Sequence, residues 1–587
     1  MELCNGPSRM KNFVHLAVIF GLVTGFVSFA CTDQSKLKPE IFNNQRSMNM
    51  DKAPLPTIGI KLSPEAAHPP IQETVTPTPL SIEKESPDNI LGPTTSKKNN
   101  PPVFQGKRGG TLKLISKHYF DSLDPHENYS GAHPAWGMGI IYQRLLKFSN
   151  GPNITLPSKA TECDVCKSWQ MVDNKTFVFD VDTNIKWISE ESDSMKTVSP
   201  EDIKFSLDRQ MAKDQEHWNR FHMVRSIDIK SEDQIQINLN VPDADFFISL
   251  ADGRSKLLSK SNISNSTKME SVPPIGSGPW RLAKLVADSY SSVENVYSAP
   301  NPPYLDSIEF HIITDPQARL SAYSVGLIDV YNIENYLSEL DIALENPEPG
   351  LGFEIVFNTA IPPFNDDSTR FLARSSINPD EIIQKAWHNY AFFSLGFVTN
   401  HPSWIPDRSD WESHFYPFQQ PEALKEIVPI VITTSDFGSR YKESAEIASQ
   451  QLEAVGFDPI INFVNRRQYV EKVWRQGDFD VLMGPTFPQS STNSFVIPVL
   501  HSQGEWNTSN HQDSRLDELI EEQSQEYNLE KRSEIINSIN IHLLEKSYRF
   551  MPATQKSLWA WTEDLKNMHP NFSGFEYSHW ERVWLDR

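Results

Sequence analysis

Residues 273–280 read Pro-Pro-Ile-Gly-Ser-Gly-Pro-Trp. Three prolines and two glycines in so short a stretch cannot continue a helix or a central strand, because proline lacks a backbone N–H and glycine weakens both structures. The stretch therefore predicts a turn that holds one shape. Downstream, Ile308, Phe310 and Ile312 alternate with polar residues, as in a strand with one buried face. We interpret the turn as the point where the chain passes from one subdomain to another, with an ordinary rigid loop as the alternative.

The second half of this turn resembles a family signature. Ile275–Trp280 is similar to the I-G-T-G-P-F/W motif of the extracellular solute-binding proteins of peptide- and nickel-type ABC importers. Further stretches resemble segments of the same family in the same order: Gly109–Leu112, Leu123–Pro125, Ser168–Trp169, Thr176–Phe179, Val198–Leu207, Tyr304–Asp306, Gly326–Asp329, Phe357–Asn358, Pro362–Phe364, Leu452–Gly456, Asp478–Asp480 and Glu530–Arg532. The resemblance covers residues 109–570, nearly everything outside the N-terminal tail.

This resemblance implies an α/β fold of the type II periplasmic-binding-protein kind, with two lobes and an extra β-rich subdomain. It implies a ligand in the cleft between the lobes and hinge closure around it. It implies a monomer that delivers a peptide or other small polar solute to permease subunits in the membrane. No cofactor is implied, although the nickel-type relatives leave a metal complex open as the ligand.

Length and charge set bounds on the number of hydrophobic cores and on the partners of the protein. At 587 residues the chain is long enough for at least two hydrophobic cores. Its net charge of -22 argues against nucleic acid and anionic membrane surfaces as partners.

Residues 1–31 have the pattern of a signal peptide. Arg9 and Lys11 precede the largely apolar stretch 13–30, and Cys31 follows directly, as at a bacterial lipoprotein cleavage site. Ser28 stands where such sites usually carry an aliphatic residue. We predict lipid attachment at Cys31 and a mature protein held at the outer face of the cytoplasmic membrane or in the periplasm. Conventional cleavage and a retained helical anchor are the alternatives.

The pattern after the signal peptide divides into a tether and a folded body. Residues 32–106 are rich in proline and poor in aromatics, so they predict a disordered tether. In the body we expect a first lobe, a β-rich subdomain and a second lobe. The first lobe comprises 107–146 and 273–350, the subdomain 147–272, the second lobe 351–540, and residues 541–587 return to the first lobe.

Local patterns predict several elements of the body. Ser199 followed by Pro200 and acidic residues predicts a helix start. Alternating apolar residues predict strands at 177–181 and 235–241. A β-α-β-α-β order over 430–483, with a helix stopped by Gly456, predicts an α/β arrangement. We also expect a helix ending near Leu145 and helical structure through 512–546.

Cys163 and Cys166 form a C-x-x-C pair in a chain that we predict to be exported. A local disulfide is the simplest interpretation in that compartment. A redox centre would need a β-α-β context that is not evident, and a zinc site would need two further ligands.

Enzyme motifs are missing from the sequence. There is no G-x-S-x-G and no H-E-x-x-H, and the turn at 273–280 has neither G-x-G-x-x-G nor Gly-Lys-Ser/Thr spacing. His217 and His222 lack the spacing of ligands on one helix face. With the family resemblance, this favours a binding protein without catalytic residues. An exported hydrolase or a signalling receptor on the same scaffold stays open.

Alignment to ligand-facing loops of the family predicts Tyr129, Trp218 and Arg254 as cleft residues, together with the segment Thr486–Gln489. Peptide-binding relatives carry a "G-W-x-x-D" segment here, whose aspartate pairs with the peptide's α-amino group. In this chain Phe487 replaces the aromatic residue, and Gln489 is the nearest match to the aspartate. We therefore expect weaker dependence on a free amine, unless a carboxylate such as Asp366 or Asp367 supplies the charge.

Overall fold

The computed structural model describes residues 95–97, 106–116, 124–126, 138–188, 196–212, 221–263, 274–286, 289–299, 301–333, 340–394, 399, 401–405, 407–415, 421–486, 490–569 and 578–587. The predicted signal peptide and most of the predicted tether lie outside these residues. The chain divides into two units, Met1–Ile82 and Glu83–Arg587, and all described residues belong to the second.

The strands in chain order are β1 Thr95–Lys97, β2 Thr111–Ser116, β3 Leu146–Phe148, β4 Thr161–Cys163, β5 Cys166–Asp173, β6 Thr176–Val181, β7 Val224–Ser231, β8 Gln234–Leu239, β9 Trp280–Val286, β10 Tyr290–Asn295, β11 Ser307–Ile312, β12 Val330–Asn332, β13 Leu344–Phe357, β14 Ala391–Ser394, β15 Val428–Ser435, β16 Phe457–Val464, β17 Val481–Gly484, β18 Arg549–Trp561, β19 Leu565–Lys566 and β20 Trp584–Leu585. The helices are α1 Pro200–Gln210, α2 Phe246–Ala251, α3 Pro316–Ser324, α4 Asp367–Ser376, α5 Pro379–Lys385, α6 Arg408–Trp411, α7 Ser439–Glu453, α8 Arg466–Tyr469, α9 Thr492–Leu500, α10 Ser514–Gln525 and α11 Leu529–Lys546.

The first sheet has the order β1-β5-β6-β8-β7, and its neighbouring strands are antiparallel. Phe177 and Phe179 of β6 are buried, which confirms the predicted alternation. Helix α2 packs its Phe246 and Phe247 against them, with ring centroids of Phe177 and Phe246 5.0 Å apart. This core makes the first sheet and α2 one packed body, which we call the first-sheet module.

Strand β1 corrects the predicted extent of the tether. Thr95–Lys97 pairs antiparallel with Ser168–Gln170 of β5, although the sequence predicted disorder through residue 106. The edge of β5 offers unpaired backbone N–H and C=O groups, and proline-free Thr-Ser-Lys can bind them as an added strand.

The second sheet has the order β2-β11-β10-β9, with β2 and β11 parallel. The predicted strand at 308–312 is confirmed as β11. Its core also contains Trp559, Trp580 and Leu585 from the C-terminal part of the chain. Residues near both ends of the described body therefore share one hydrophobic core.

The third sheet has the order β12-β18-β13-β17-β15-β16, and β14 also pairs with β18. Strands β15, β16 and β17 are parallel and alternate with α7 and α8, which confirms the predicted β-α-β-α-β order. The two long strands β13 and β18 pair along the sheet, from Leu344↔Trp559 to Val356↔Arg549. Their register shifts between Pro347 and Gly352, and Gly350 in that interval has φ +85°.

The proline- and glycine-rich turn packs its residues 276–278 on the backbone of Ile141. The amide of Gly278 donates to the Ile141 carbonyl at 2.9 Å, and the amide of Ile188 donates to the Gly276 carbonyl at 2.7 Å. A Cβ on Gly276 would lie 2.0 Å from the Ile141 oxygen, so this position has no room for a side chain. The turn thus connects its bond with Ile188, at Gly276, to the start of β9 at Trp280.

The prediction of a helix that ends near Leu145 is wrong for the described residues 138–146. Only Met138–Ile141 is helical, as a 3-10 turn. The amide of Arg144 donates to the Asp164 carboxylate at 2.9 Å, and its carbonyl accepts from the amide of Val165 at 3.0 Å. These long-range bonds replace the helical ones.

Other local predictions are confirmed. Ser199 and Asp202 form a reciprocal capping box at the start of α1. Gly456 has φ +96° just beyond α7, a conformation that favours glycine. The helical stretch 512–546 is two helices, because Asn528 caps a new helix with bonds to the amides of Glu530 and Lys531.

Cys163 and Cys166 are joined as a disulfide, with their Cα atoms 5.0 Å apart. Both side chains are buried in the core of the first-sheet module. Among the residues that the structure describes, none of the helices combines the length and apolar character required to cross a bilayer.

Candidate ligand-binding site

Two of the predicted site residues fall within the described part of the chain. Thr486 is buried directly after β17. Arg254 is half-buried in the turn after α2, where its amide donates to the Asp252 carboxylate at 2.9 Å. Tyr129, Trp218, Phe487 and Gln489 lie outside the described residues. Their place in the cleft therefore stays a prediction.

We place the candidate site at the carboxyl ends of the parallel strands β15 and β17. Ile432 and Thr433 pair with Val481 and Leu482, so both strands end at the same edge of the third sheet. Ligands of open α/β sheets bind outside this edge. Residues 485 and 486, the described start of the segment 485–490, follow β17 at this edge.

The start of this segment is fixed to the long strands. The hydroxyl of Thr486 donates a hydrogen bond to the carbonyl oxygen of Gly350. Gly350 lies in the interval where the register of β13 and β18 shifts. The described beginning of the segment is therefore tied to the irregular part of these two strands.

A buried charged pair lies beneath the same edge. Glu354 of β13 pairs with Gly484 in the sheet, and its carboxylate accepts a hydrogen bond from Arg549 of β18. Burial raises the pKa of Glu354, and the guanidinium of Arg549 opposes that shift. A Cβ on Gly484 would lie 2.6 Å from the hydroxyl of Tyr469, whose pKa burial raises well above its usual range.

The far end of the segment is bound by a lysine that lies between β3 and β4. The ammonium of Lys159 donates a hydrogen bond to the carbonyl of Ser490. Lys159 is buried, and burial lowers its pKa to about 8 despite the carboxylates of Asp245 and Asp252. Because the acceptor is a backbone carbonyl, this hydrogen bond does not depend on which side chain residue 490 carries.

Asp245 and Arg532 form the centre of a second buried charged network. Arg532 Nη1 lies 2.7 Å from Asp245 Oδ1, and their side chains are 0% and 2% exposed. Arg532 also donates to Gln523 Oε1 at 3.1 and 3.2 Å and to Asn493 Oδ1 at 3.2 Å. The amide of Asn493 donates to Asp245 Oδ2 at 2.6 Å. Asp245, just before α2, is thereby bonded directly to α9 and α11, and Arg532 connects it to Gln523 of α10.

Asp243 extends this network by one carboxylate. Its Oδ1 accepts from Asn493 Nδ2 at 2.8 Å and from the amide of Asp245 at 3.0 Å. Burial and the neighbouring Asp245 raise the pKa of Asp243.

The two aspartates considered as replacement carboxylates have local structural partners. Asp366 caps α4 by accepting from the amide of Thr369 at 2.8 Å, and Asp367 lies 2.6 Å from Arg370. Hydrogen bonds from Ser368 and Thr369 lower the pKa of Asp366. Within the described residues no group of three or more His, Cys, Asp or Glu side chains is arranged to hold a metal ion.

Sequence reasoning missed both buried ion pairs. Glu354 is a single carboxylate inside the apolar run Phe353–Phe357, and a charge in such a strand signals a buried partner. Asp245 and Arg532 carry no comparable signal, because their partners are close only after folding.

Residues 161–507 match the sequence profile described as bacterial extracellular solute-binding proteins, family 5 Middle, which is more than half of the chain. The chain belongs to this family. It is 20% identical over 526 residues to the probable ABC transporter periplasmic-binding protein SapA of Escherichia coli, covering 82% of this chain and 93% of that one. It is 24% identical over 290 residues to the glutathione-binding protein GsiB of Pectobacterium atrosepticum, covering 47% of this chain and 56% of that one. The chain thus spans about half the length of that curated relative.

Two solved structures of other proteins share the fold of this chain. The Helicobacter pylori periplasmic binding protein DppA in complex with peptide STSA has a TM-score of 0.62 at 19% identity, covering 82% of this chain and 99% of that one. NikA from Brucella suis in complex with Fe(III)-EDTA has a TM-score of 0.66 at 16% identity, covering 81% of this chain and 100% of that one. The expected α/β periplasmic-binding-protein fold of type II is therefore confirmed.

Proposed function

We propose that this protein is the substrate-binding component of an ABC transporter. It captures a peptide or another small polar solute and delivers it unchanged to permease subunits in the membrane. The observation that carries this proposal is the match of residues 161–507 to the bacterial extracellular solute-binding proteins of family 5. The hydrogen bond from Thr486 to Gly350 ties the described start of the segment after β17 to the long strand β13, next to the proposed site.

In this proposal the long strands connect two lobes. One lobe contains the second sheet with 107–146, 273–350 and the residues after α11. The other contains 351–540 and also the end of α11, because the expected boundary at 541 falls inside this helix, whose Leu543 and Leu544 pack in the core of the third sheet. The long strands support this division, because β12 pairs with β18 at one end and β17 pairs with β13 at the other. The ligand lies between the lobes and favours closure through its greater affinity for the closed form.

The proposed ligand contacts are Tyr129, Trp218, Arg254, Thr486, Phe487 and Gln489. Arg254 would pair with a carboxylate if the solute has one. Gln489 stands where peptide-binding relatives carry an aspartate. A neutral amide loses the charge-assisted part of a bond to an ammonium, about 1.5–3 kcal/mol or roughly tenfold to a hundredfold in affinity.

Matched peptides test this assignment. Tryptophan fluorescence would follow titration with STSA and with its N-acetylated form, because STSA is the peptide bound to the structurally similar DppA. We expect affinities for the two forms within about tenfold. A strong preference for the free amine would contradict the proposal for Gln489, and peptide fragments after incubation would point instead to a hydrolase.

We also propose that Cys31 is the acylated N-terminus of the mature protein and that the folded body stays close to the membrane. One acyl chain binds a membrane only marginally, so more than one chain is expected. Cys31→Ser should abolish processing and membrane association in cell fractionation. A processed, membrane-bound variant would contradict lipid attachment there.

A further inference from the structure

A cavity of about 40 Å³ lies where the core of the second sheet meets the strand pair β3 and β4. The second-sheet core contributes Trp280 and Trp580 to its lining. Lys147 of β3 and Asp164, directly after β4, also line the cavity. A space of this size holds a few water molecules or one small ion, but no peptide.

Among the described residues that line the cavity, cations outnumber carboxylates by three to two. The cations are Arg144, Lys147 and Lys256, and the carboxylates are Asp164 and Glu581. Oδ2 of Asp164 accepts from the Arg144 amide at 2.9 Å and lies 3.9 Å from Arg144 Nε. Glu581 lies 3.4 Å from the ammonium of Lys147. The two carboxylates are thus paired with two of the three cations.

The pair of Lys147 and Glu581 gives the cavity a route to solvent. Their side chains are 15% and 22% exposed, whereas the side chain of Arg144 is 2% exposed. Glu162 lies 3.7 Å from Lys147 and 4.0 Å from Arg582, so these outer charges balance each other. A small ion would enter the cavity past this partly exposed pair.

Lys256 is the cation of the cavity that has no ion pair with a described residue. Its side chain is buried, and its ammonium donates to the Tyr142 carbonyl at 3.2 Å. An ammonium has three N–H donors, and among the described residues this carbonyl is its one acceptor. Burial and the neighbouring Arg144 lower the pKa of Lys256 well below its usual range, although Asp164 and Asp252 oppose the shift. A further negative charge would stabilise an ammonium in these surroundings.

We propose that this cavity binds one small monovalent inorganic anion of the halide class, which pairs with the ammonium of Lys256. One such anion balances the cation that the two carboxylates leave over. A divalent oxyanion would instead place excess negative charge beside Asp164 and Glu581. The inference does not depend on the proposed capture of a solute, because the cavity is built from the second-sheet core and from β3 and β4, and not from the third sheet.

Chlorine NMR of the full-length protein tests this binding in solution, because chloride that exchanges with a protein site has a broadened resonance. We expect an excess line width that added bromide removes by displacing chloride. Lys256→Met keeps the length of the side chain and removes its charge. It should weaken the bromide-displaceable binding by at least about tenfold, because the anion loses its charged hydrogen-bond donor.

Lys442→Met is the matched control, because it makes the same change at a lysine of α7 that is 60% exposed and lies 3.9 Å from Glu446. It should leave the displaceable line width as in the wild type. Anomalous diffraction from crystals of the full-length protein grown in bromide would then locate the ion. We expect a bromine peak inside the cavity, within hydrogen-bond distance of Lys256 Nζ, and no such peak in Lys256→Met.

Three results would overturn the proposal. The first is a wild-type line width that bromide does not reduce, and the second is an equal reduction in wild type and Lys256→Met. The third is a bromine peak without binding in solution, which would mark an adventitious ion only. Should Lys256→Met fail to fold, the wild-type crystals decide, because a cavity without bromine contradicts the site. None of these measurements requires that the protein binds STSA, so the proposed function can fail separately.

Discussion

Glu354 and Arg549 form an ion pair in which neither side chain is more than 2% exposed. Each residue belongs to one of the two long strands, and the ring of Phe495 lies 5.4 Å from the guanidinium carbon of Arg549. Glu354 also faces Gly484 across the sheet, next to the segment proposed to contact ligand. This pair fixes the long strands against each other where β17 ends.

Glu354→Gln should destabilise the protein by about 3–5 kcal/mol, because it leaves the Arg549 charge buried without its partner. Urea denaturation would measure the free energy of unfolding. Glu446→Gln, at an exposed pair with Lys442 in α7, should change it by less than about 1 kcal/mol. If Glu354→Gln lowers the free energy of unfolding by no more than the control does, the buried ion pair is not needed for stability.

Gly276→Ala should destabilise the protein by at least about 3 kcal/mol or prevent folding, because the new Cβ would meet the backbone oxygen of Ile141. Ser277→Ala in the same turn is the control. Within the described residues the buried Ser277 hydroxyl has no hydrogen-bond partner, so its loss should be neutral or stabilising by up to about 1 kcal/mol. Thermal unfolding would compare the variants. A tolerated Gly276→Ala would contradict the tight contact.

His511 should make the protein less stable in acid. Burial lowers its pKa to about 4, and its ring bonds the Leu500 carbonyl at 2.7 Å and the Ser509 hydroxyl at 2.6 Å. In the unfolded chain this histidine binds a proton near pH 6.5. Its contribution to the free energy of unfolding is therefore complete above that pH. It falls by about 3 kcal/mol as pH drops from 6.5 to 4.

The variant His511→Gln isolates this effect. Urea denaturation at several pH values between 4 and 7.5 should show a weaker dependence on pH than in the wild type. The difference in stability between the two proteins should therefore shrink toward pH 4. A constant difference would mean that His511 does not titrate in this range.

The disulfide between Cys163 and Cys166 should contribute little to stability, because it closes a very short loop. The chain-entropy relation gives at most about 2 kcal/mol for such a loop. Intact-mass measurement of exported protein should show two hydrogens fewer than the reduced chain. Two thiols that alkylate without reductant would contradict the prediction, as would a large loss of stability on reduction.

Local patterns sufficed for much of the fold. The alternation of apolar and polar residues predicted β6 and β11, and the capping pair Ser199 and Asp202 predicted the start of α1. Both patterns depend only on residues that are close in sequence. The expected helix near Leu145 failed because Asp164 and Val165 supply competing hydrogen bonds from a distant turn. The Asp245–Arg532 pair joins residues separated by 287 positions, so only the folded chain brings it together.

Native mass spectrometry of the protein purified from its own host, without added ligand, tests the central claim most directly. We expect a population heavier than the bare chain by the mass of one small solute, which leaves intact and unmodified on denaturation. Added STSA or another solute should displace it in the same spectrum. A protein that carries no solute, binds none of the offered peptides and shows no displacement would contradict a role in solute capture.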